Sequence, residues 1–210
     1  NIQHLFVLPS LVASIVLHHE AVSKDLIMQS IHRIYPFLQA ELFLHFEEQN
    51  IRTHIEAILA EFTRQNLIKN ESEMFMINRP RVRALQLHSA GIRELLQRYY
   101  ISLSILIEQP EISRNALEKE SRYIAQRLSV LHGINAPEFF DKALFSTFSN
   151  TLKAQGYFDE DGNSVTDKVQ ATEALIRGFI SSEVQHTIRG AMVKPEEAAE
   201  TKEEKSTEEE

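Results

Sequence analysis

The chain has 210 residues, a formal net charge of −8 and 43% hydrophobic residues, which is enough apolar content to bury the core of one large or two small domains. It contains no cysteine, which excludes disulfides, thiolate metal sites and cysteine nucleophiles and favours a reducing cytosolic compartment. Residues 194–210 hold eight glutamates and three lysines, a net of −5, so the preceding residues carry only −3. This nearly neutral body gives no general attraction for a polyanion such as nucleic acid.

The first apolar segment covers residues 5–17 and lacks the basic leader of a secretory signal. It is shorter than the roughly 20 residues that a membrane-spanning helix needs. We therefore predict a buried or interfacial helix over residues 10–19, with Pro9 in its first turn. The chain begins with Asn1 rather than methionine, and we expect it to be a piece of a longer protein.

Two short helices separated by a proline are expected next. Ser23 is suited to be the N-cap of a helix over residues 24–34, with Asp25 near its positive end. Pro36 is expected to break or kink the chain. The aromatic-rich residues 37–46 then predict a short helix that packs on more than one side.

A helix followed by a β-hairpin is predicted from residue 50 onwards. Asn50 can cap a helix, and residues 67–69 and 74–77 look like two short strands around a polar turn. The apolar stripe of the helix consists of Ile51, Ile55, Ile58, Leu59 and Phe62. Helix followed by hairpin is typical of a winged helix.

The middle of the chain predicts two long helices. The first begins after Pro80 and extends towards Glu108, and we interpret its apolar residues 99–107 as buried helix rather than strand. Pro110 ends it, and Ser113 caps the second helix. The core positions predicted for this second helix are Leu117, Ile124, Leu128 and Leu131.

A second helix and hairpin are predicted further along the chain. Gly156 would end the helix, and residues 157–165 would supply a strand and a turn at Asp161 and Gly162. The apolar stripe of the helix consists of Phe139, Phe140, Ala143, Leu144, Phe148 and Leu152.

A final helix is predicted over residues 167–188, with an apolar row at i, i+4 spacing. The sequence thus predicts a mainly α fold: a multi-helix domain over residues 1–193 with one or two short winged-helix-like β-hairpins, near residues 50–78 and 136–166. The glutamate-rich residues 194–210 cannot bury enough apolar area to offset their ordering entropy and are predicted to be a disordered acidic tail. The row of the final helix is Ile176, Ile180, Val184 and Ile188.

The candidate chemical groups do not form a known motif. No His-Glu-x-x-His pair occurs among the nine histidines, and His18 and His19 would point about 100° apart on a helix. Glu41 and His45 share a helix face without a second ligand pair, so we predict no metal and no cofactor. Neither a Gly-x-Ser-x-Gly elbow nor a glycine-rich phosphate loop occurs. The aromatic residues 35–46 could contact lipid or an acyl chain, although such a stripe is more typical of a core.

A winged-helix adaptor or nucleic-acid-binding protein is the alternative hypothesis. It rests on the two predicted helix–hairpin segments and on a local group of arginines near the first hairpin. These arginines are Arg79, Arg81, Arg83, Arg93 and Arg98. The nearly neutral body argues against it, and solvated helix faces or protein contacts explain the arginines as well.

Three long strings carry a resemblance to a known family. Residues 117–145 (LEKESRYIAQRLSVLHGINAPEFFDKALF) closely resemble the C-terminal region of bacterial membrane-bound glycerol-3-phosphate 1-O-acyltransferase. Residues 35–44 (YPFLQAELFL) and 85–99 (LQLHSAGIRELLQRY) resemble further segments of it, in the same order. The resemblance spans nearly all of residues 1–190.

The resemblance implies an enzyme that transfers a fatty acyl group to the 1-hydroxyl of glycerol 3-phosphate in phospholipid synthesis. The donors it implies are acyl-carrier protein or coenzyme A thioesters, as co-substrates rather than cofactors. It also implies a peripheral or monotopic location at the cytoplasmic face of the bacterial inner membrane. The partners it implies are an upstream catalytic domain of the same chain, acyl-carrier protein and the membrane surface, with no nucleic acid.

The family's catalytic motif is His-x-x-x-x-Asp, in which the histidine is the general base and the aspartate orients it. None of the nine histidines is followed by aspartate at that spacing. No catalytic residue can therefore be assigned, and we expect the catalytic residues upstream of Asn1 and the chain alone to be inactive.

The segment that best matches the family predicts a structural corner rather than an active site. His132 is expected in a last helical turn, and Gly133 as a left-handed C-terminal stop. Asn135 and Glu138 are expected to form a capping-box-like start around Pro137.

Overall fold

The computed structural model describes residues 3–44, 48–134 and 136–192, and its helices pack around one hydrophobic core. The α-helices of these ranges are α1 (Gln3–His19), α2 (Lys24–Leu42), α3 (Glu48–Arg64), α4 (Val82–Ala90), α5 (Arg93–Glu108), α6 (Arg114–His132), α7 (Lys142–Ala154), α8 (Thr166–Arg177) and α9 (Ser182–Met192). Short 3₁₀-helices occupy Arg79–Arg81 and Pro137–Phe140. The predicted mainly α fold is confirmed, and the acidic residues 194–210 lie outside the described ranges.

The first two helices are longer than their prolines suggested. Helix α1 begins seven residues before the predicted start, so Pro9 lies inside it rather than in its first turn. Helix α2 is capped as predicted, since the Ser23 hydroxyl accepts a hydrogen bond from the Leu26 amide at 3.2 Å. It then continues through Pro36 to Leu42, so the predicted break is wrong. Burial of the apolar residues on both sides of each proline offsets the amide donor that the ring removes.

A three-stranded antiparallel sheet lies beside these helices, with the strand order β1 (Ala21–Ser23), β3 (Met74–Ile77), β2 (Ile68–Glu71). The predicted hairpin is therefore present as β2 and β3. Ser72 and Glu73 make its two-residue turn with φ values of 51° and 66°, the left-handed geometry that follows the twist of the strands. Strand β1 was not predicted, and it places Val22 opposite Phe75 of the central strand.

Helix α5 crosses the centre of the molecule, and every residue from Leu95 to Leu106 is buried, as predicted for residues 99–107. The single long helix predicted from Pro80 towards Glu108 is instead two helices, because α4 ends at Ala90 and α5 begins at Arg93. Gly91 lies at this break, where a Cβ atom would be 2.8 Å from the Ser10 hydroxyl of α1. A side chain at this position would therefore meet α1, so the close approach of the two helices favours glycine at the break.

The last part of the chain departs furthest from prediction. The second hairpin is reduced to one bridge between Phe158 and Ser164, around a turn that the Asp159 carboxylate holds. The predicted final helix is two helices, α8 and α9, separated near Gly178. A Cβ atom on Gly178 would lie 2.6 Å from the His18 ring of α1. The four apolar positions predicted for the final helix are nevertheless buried in the two helices.

Candidate functional site

The corner between α6 and α7 places the predicted residues around a helix end. Helix α6 ends at His132, and Gly133 follows with φ of 63°, its amide donating to the Ser129 carbonyl. The Ser129 hydroxyl in turn donates to the Ile134 carbonyl at 2.7 Å. Leu131, predicted to be core, is 65% exposed, whereas the neighbouring His132 faces α9.

The start of the next helix differs from the predicted capping box. Ala136 is the N-cap of the 3₁₀-helix that contains Pro137 and Glu138, and no side chain caps it. Asn135 lies outside the described residues. The side-chain cap belongs instead to Asp141, whose carboxylate accepts a hydrogen bond from the Ala143 amide at 2.8 Å at the start of α7. The sequence signal for this cap was Asp141 itself, a short acidic residue directly before the apolar stripe of α7.

The hydrogen bonds of His132 show that this imidazole does not act as a base on its neighbour. Its Nε2 lies 3.1 Å from the Thr187 hydroxyl oxygen. The Thr187 hydroxyl proton is already donated to the Glu183 carbonyl at 3.0 Å. His132 Nε2–H must therefore be the donor, and the threonine oxygen the acceptor. This arrangement fixes α9 against α6 and does not activate a nucleophile.

The same corner lines a polar cleft of about 720 Å³ between α5 and the segment that joins α8 to α9. Arg93, Glu94 and Gln97 of α5 form one wall. Gln97 is 5% exposed, and its side-chain oxygen has no hydrogen-bond partner among the described residues. The cleft offers hydrogen-bonding groups to a neighbour. It also contains His132 and Glu183, whose Nδ1 and Oε1 atoms are 3.9 Å apart, so the two side chains are not hydrogen-bonded to each other.

A buried polar network links α2 to α5. Glu41 accepts hydrogen bonds from the Arg98 guanidinium and, at 3.0 Å, from the Tyr99 hydroxyl, with side-chain exposures of 5% for Glu41 and 8% for Arg98. Burial raises the pKa of the Glu41 carboxyl, although Arg98 and Tyr99 oppose that rise. Burial, followed by the charge of Glu41, raises the pKa of the Tyr99 phenol well above its usual range. The partner considered for Glu41 from sequence, His45, lies outside the described residues.

An aromatic cluster adjoins this network. The Tyr99 ring stacks on Phe148 of α7 with centroids 4.4 Å apart and an interplanar angle of 9°. Phe37 of α2 lies 4.9 Å from Phe148 and 5.6 Å from Tyr157. Phe37, in the aromatic run considered for lipid contact, is therefore core, whereas Phe43 at the end of α2 is exposed.

A second cleft, of about 840 Å³, opens between α2, α3 and α8. We call it the cationic cleft because Arg33, Arg52 and Lys168 line it. The Lys168 ammonium donates to the Gln155 carbonyl and lies 4.7 Å above the centre of the Tyr157 ring. Sequence reasoning missed this cleft because its three cations belong to helices far apart in the chain and form no local motif.

The arginines of the alternative hypothesis do not act together. Arg98 is buried in the network with Glu41, and Arg79 faces Glu20 at 3.4 Å. Arg93 lines the polar cleft at the corner, which leaves Arg81 and Arg83 as exposed members without an ion pair in the described part of the chain. In the described residues, the five arginines named from sequence therefore do not form one basic surface.

Within the described ranges, no group of three or more histidine, cysteine, aspartate or glutamate residues could hold a metal ion. No helix of these ranges combines the length and apolar character needed to cross a bilayer.

Comparison with known proteins identifies a family. Residues 1–161 match the family model described as the glycerol-3-phosphate acyltransferase C-terminal region. The chain is 80% identical over 197 residues to a glycerol-3-phosphate acyltransferase of Glaesserella parasuis, which covers 94% of the chain. It is 71% identical over 201 residues, 96% of the chain, to one of Actinobacillus pleuropneumoniae serotype 3, and 57% identical over 197 residues, 94% of the chain, to one of Haemophilus influenzae strain 86-028NP.

The chain spans only 24% of the length of each of these three relatives. No solved structure matches it. The family match covers most of the chain, including the corner at His132, the Glu41–Arg98 network and the aromatic cluster. The chain therefore belongs to the glycerol-3-phosphate acyltransferase C-terminal region family.

Proposed function

We propose that this chain is the C-terminal part of an enzyme that transfers a fatty acyl group from acyl-carrier protein or coenzyme A to the 1-hydroxyl of glycerol 3-phosphate. Its own role is to pack on the catalytic part and hold it in position. The observation that carries the proposal is the 80% identity to a glycerol-3-phosphate acyltransferase of which the chain spans 24%. The acyl chemistry then belongs to residues outside this sequence.

The described side chains support a structural role. Glu41 is buried and held by Arg98 and Tyr99, so it cannot accept a proton from a substrate hydroxyl, and the Nε2 of His132 is used in the hydrogen bond to Thr187. General-base catalysis requires a group with a free lone pair within hydrogen-bond distance of that hydroxyl. The sequence also has no His-x-x-x-x-Asp motif.

An acyl-transfer assay tests the division of labour. The purified 210-residue chain, given glycerol 3-phosphate and an acyl-coenzyme A, is expected to show no turnover. The full-length Glaesserella relative is expected to be active under the same conditions and to lose activity when its last quarter is deleted. Turnover by the 210-residue chain, or full activity of the shortened relative, would contradict the proposal.

We propose further that the assembled enzyme lies at the cytoplasmic face of the bacterial inner membrane as a peripheral or monotopic protein. The exposed Phe43, at the end of α2, and Phe6, in α1, are apolar groups of the chain that would suit a bilayer surface or the catalytic part. Flotation of the chain with phospholipid vesicles separates these two contacts. Flotation that F6A/F43A abolishes supports membrane contact, and failure of the unaltered chain to float assigns the membrane contact to the rest of the enzyme.

A further inference from the structure

The cationic cleft carries positive charge that the described protein does not neutralise. Arg33 and Arg52 form no ion pair or hydrogen bond with described residues, and Lys168 donates to a neutral carbonyl. Asp25 is the only carboxylate among the residues that line the cleft. The cleft is therefore lined by three cationic side chains and one carboxylate. The excess is local, because the chain as a whole is acidic.

The Tyr157 side chain lines the cleft and helps to position Lys168. The Tyr157 hydroxyl lies 2.7 Å from the Thr172 oxygen, and the Thr172 proton is donated to the Lys168 carbonyl at 3.0 Å, so the tyrosine hydroxyl is the donor. Because the Tyr157 hydroxyl already donates to Thr172, only the ring of this side chain is available to contact a ligand in the cleft. Lys168 lies over this ring, and Arg33 lines the same cleft. Burial raises the pKa of the Tyr157 phenol, and the positive charge of Arg33 is among the effects that oppose this rise.

Two features of the cleft select the chemistry of a ligand. Guanidinium groups match the oxygens of a phosphate group with paired, charge-assisted hydrogen bonds. The apolar lining includes Pro36, Phe37 and Leu175, which suits an uncharged portion attached to that phosphate. Apolar groups and cations in one cleft together favour a phosphate ester over a fully hydrated anion.

We propose that the cationic cleft binds a phosphate ester, with Arg33 and Arg52 contacting the phosphate oxygens and Lys168 adding charge from the opposite wall. The phosphate can come from a soluble ester or from a phospholipid headgroup, because the recognised group is the same. This inference does not depend on the proposed function, since it rests on the charges and shape of the cleft alone.

A binding titration on the 210-residue chain tests the site. The probe is inorganic phosphate, followed by amide chemical shifts in ¹H–¹⁵N spectra at constant ionic strength. The test variant is R33Q/R52Q, and the matched control is R81Q/R83Q, which removes the same charge from two exposed arginines outside the cleft. Each lost guanidinium–phosphate pair is expected to weaken binding about tenfold. The control is expected to bind as the unaltered chain does.

Vesicles distinguish the two sources of phosphate. The same proteins are floated with phosphatidylcholine vesicles and with vesicles that also contain phosphatidylglycerol. Flotation that requires phosphatidylglycerol and is lost in R33Q/R52Q assigns the site to a lipid headgroup. If phosphate changes the amide chemical shifts of residues around the cleft, and vesicle binding is absent or unaffected by R33Q/R52Q, the site is assigned to a soluble ester.

Either of two results overturns the proposal. One is that phosphate and anionic vesicles both fail to bind the unaltered chain. The other is that R33Q/R52Q and R81Q/R83Q reduce binding equally, which would make the effect one of net charge. Dispersed amide spectra of both variants establish that each has folded. Acyl-transfer activity is not measured in this test. Loss of the proposed phosphate site would therefore leave the proposed function standing, and loss of the proposed function would leave the phosphate site standing.

Discussion

Two segments with the same sequence pattern, a helix followed by a polar turn between apolar residues, adopt different structures. In the first, α3 leads into β2 and β3, and β1 pairs with the free edge of β3. In the second, α7 leads only to the bridge between Phe158 and Ser164. A two-stranded hairpin is marginally stable and needs a third strand or tertiary packing. The first segment is completed by a third strand, whereas the second is completed by one backbone hydrogen bond from Ser164 to Pro110 and by side chains of the aromatic cluster.

Phe148→Ala should show most clearly that side chains hold the second segment. Phe148 is 4% exposed and contacts both Tyr99 and Phe37, so its removal leaves a cavity in the cluster. We expect the free energy of unfolding to fall by about 3–5 kcal/mol. Urea denaturation followed by circular dichroism measures it. The matched control is F6A, on a half-exposed ring, with an expected change below about 0.5 kcal/mol. Equal losses in the two variants would contradict the role of the cluster.

Arg98→Leu should be nearly as damaging at neutral pH, because it leaves the Glu41 carboxylate buried without its cation. The expected loss is about 3–5 kcal/mol at pH 7. Without Arg98, only burial and the Tyr99 hydrogen bond remain, so the folded-state pKa of Glu41 rises further above its unfolded value. The penalty is therefore present above that raised pKa and shrinks as the pH falls through it and the carboxyl takes up a proton.

Unfolding curves of R98L from pH 7 to pH 4.5, each compared with the unaltered chain at the same pH, measure this effect. Arg127→Leu is the matched control, since Arg127 is exposed on α6 beside the Tyr123 ring. A loss in R98L that stays constant across the pH range would rule out a buried charge as its cause.

Tyr157→Phe should have a smaller effect on the second segment. It removes the hydroxyl that donates to Thr172 and keeps the ring in the cluster. Thr172 retains its own bond to the Lys168 carbonyl, so we expect a loss of about 1 kcal/mol in the free energy of unfolding. Tyr123→Phe, on an exposed tyrosine of α6, is the control and should change nothing measurable. A loss as large as that of F148A would mean that the hydroxyl, rather than the ring, fixes the segment.

The smallest expected effect concerns a charge on the first segment. Hydrogen bonds from Arg64 and Gln65 lower the pKa of the exposed Glu61 carboxyl to about 2. Because this value lies below the unfolded one, its contribution to stability is complete above the unfolded pKa and is lost as the pH falls through about 2. Solvent screening keeps that contribution small. A side-chain ¹³C titration of the folded chain should show Glu61 still ionised well below the usual range of a glutamate carboxyl, and a midpoint within that usual range would contradict this.

Local signals in the sequence predicted much of the fold. The caps at Ser23 and Ser113, the left-handed stop at Gly133 and the buried character of residues 99–107 depend on neighbours within a few positions, and the structure contains all of them. Strand β1 was missed because three residues carry no periodicity, and it exists only because the edge of β3 is nearby. A strand so short is defined by its partner.

Features set by distant contacts could not be predicted. The helix breaks near Gly91 and Gly178 lie where α1 approaches, at Ser10 and His18. A glycine in a helical pattern lowers helix propensity but does not by itself predict a break, so both positions were assigned to longer helices. The same holds for the Glu41–Arg98 pair, whose members are 57 positions apart, and for the cations of the cleft. The family resemblance identified the protein class but could not supply these contacts.

The contact between Gly178 and His18 has a consequence for the order of events on the ribosome. His18 is synthesised 160 residues before the glycine that covers it. At about 5–20 residues per second, the last turn of α1 emerges roughly 8–30 s before Gly178 and Phe179 exist. Helix α1 therefore completes its packing late. In a nascent chain that stalls before α8 has been made, the His18 end of α1 lacks its contacts with Gly178 and Phe179.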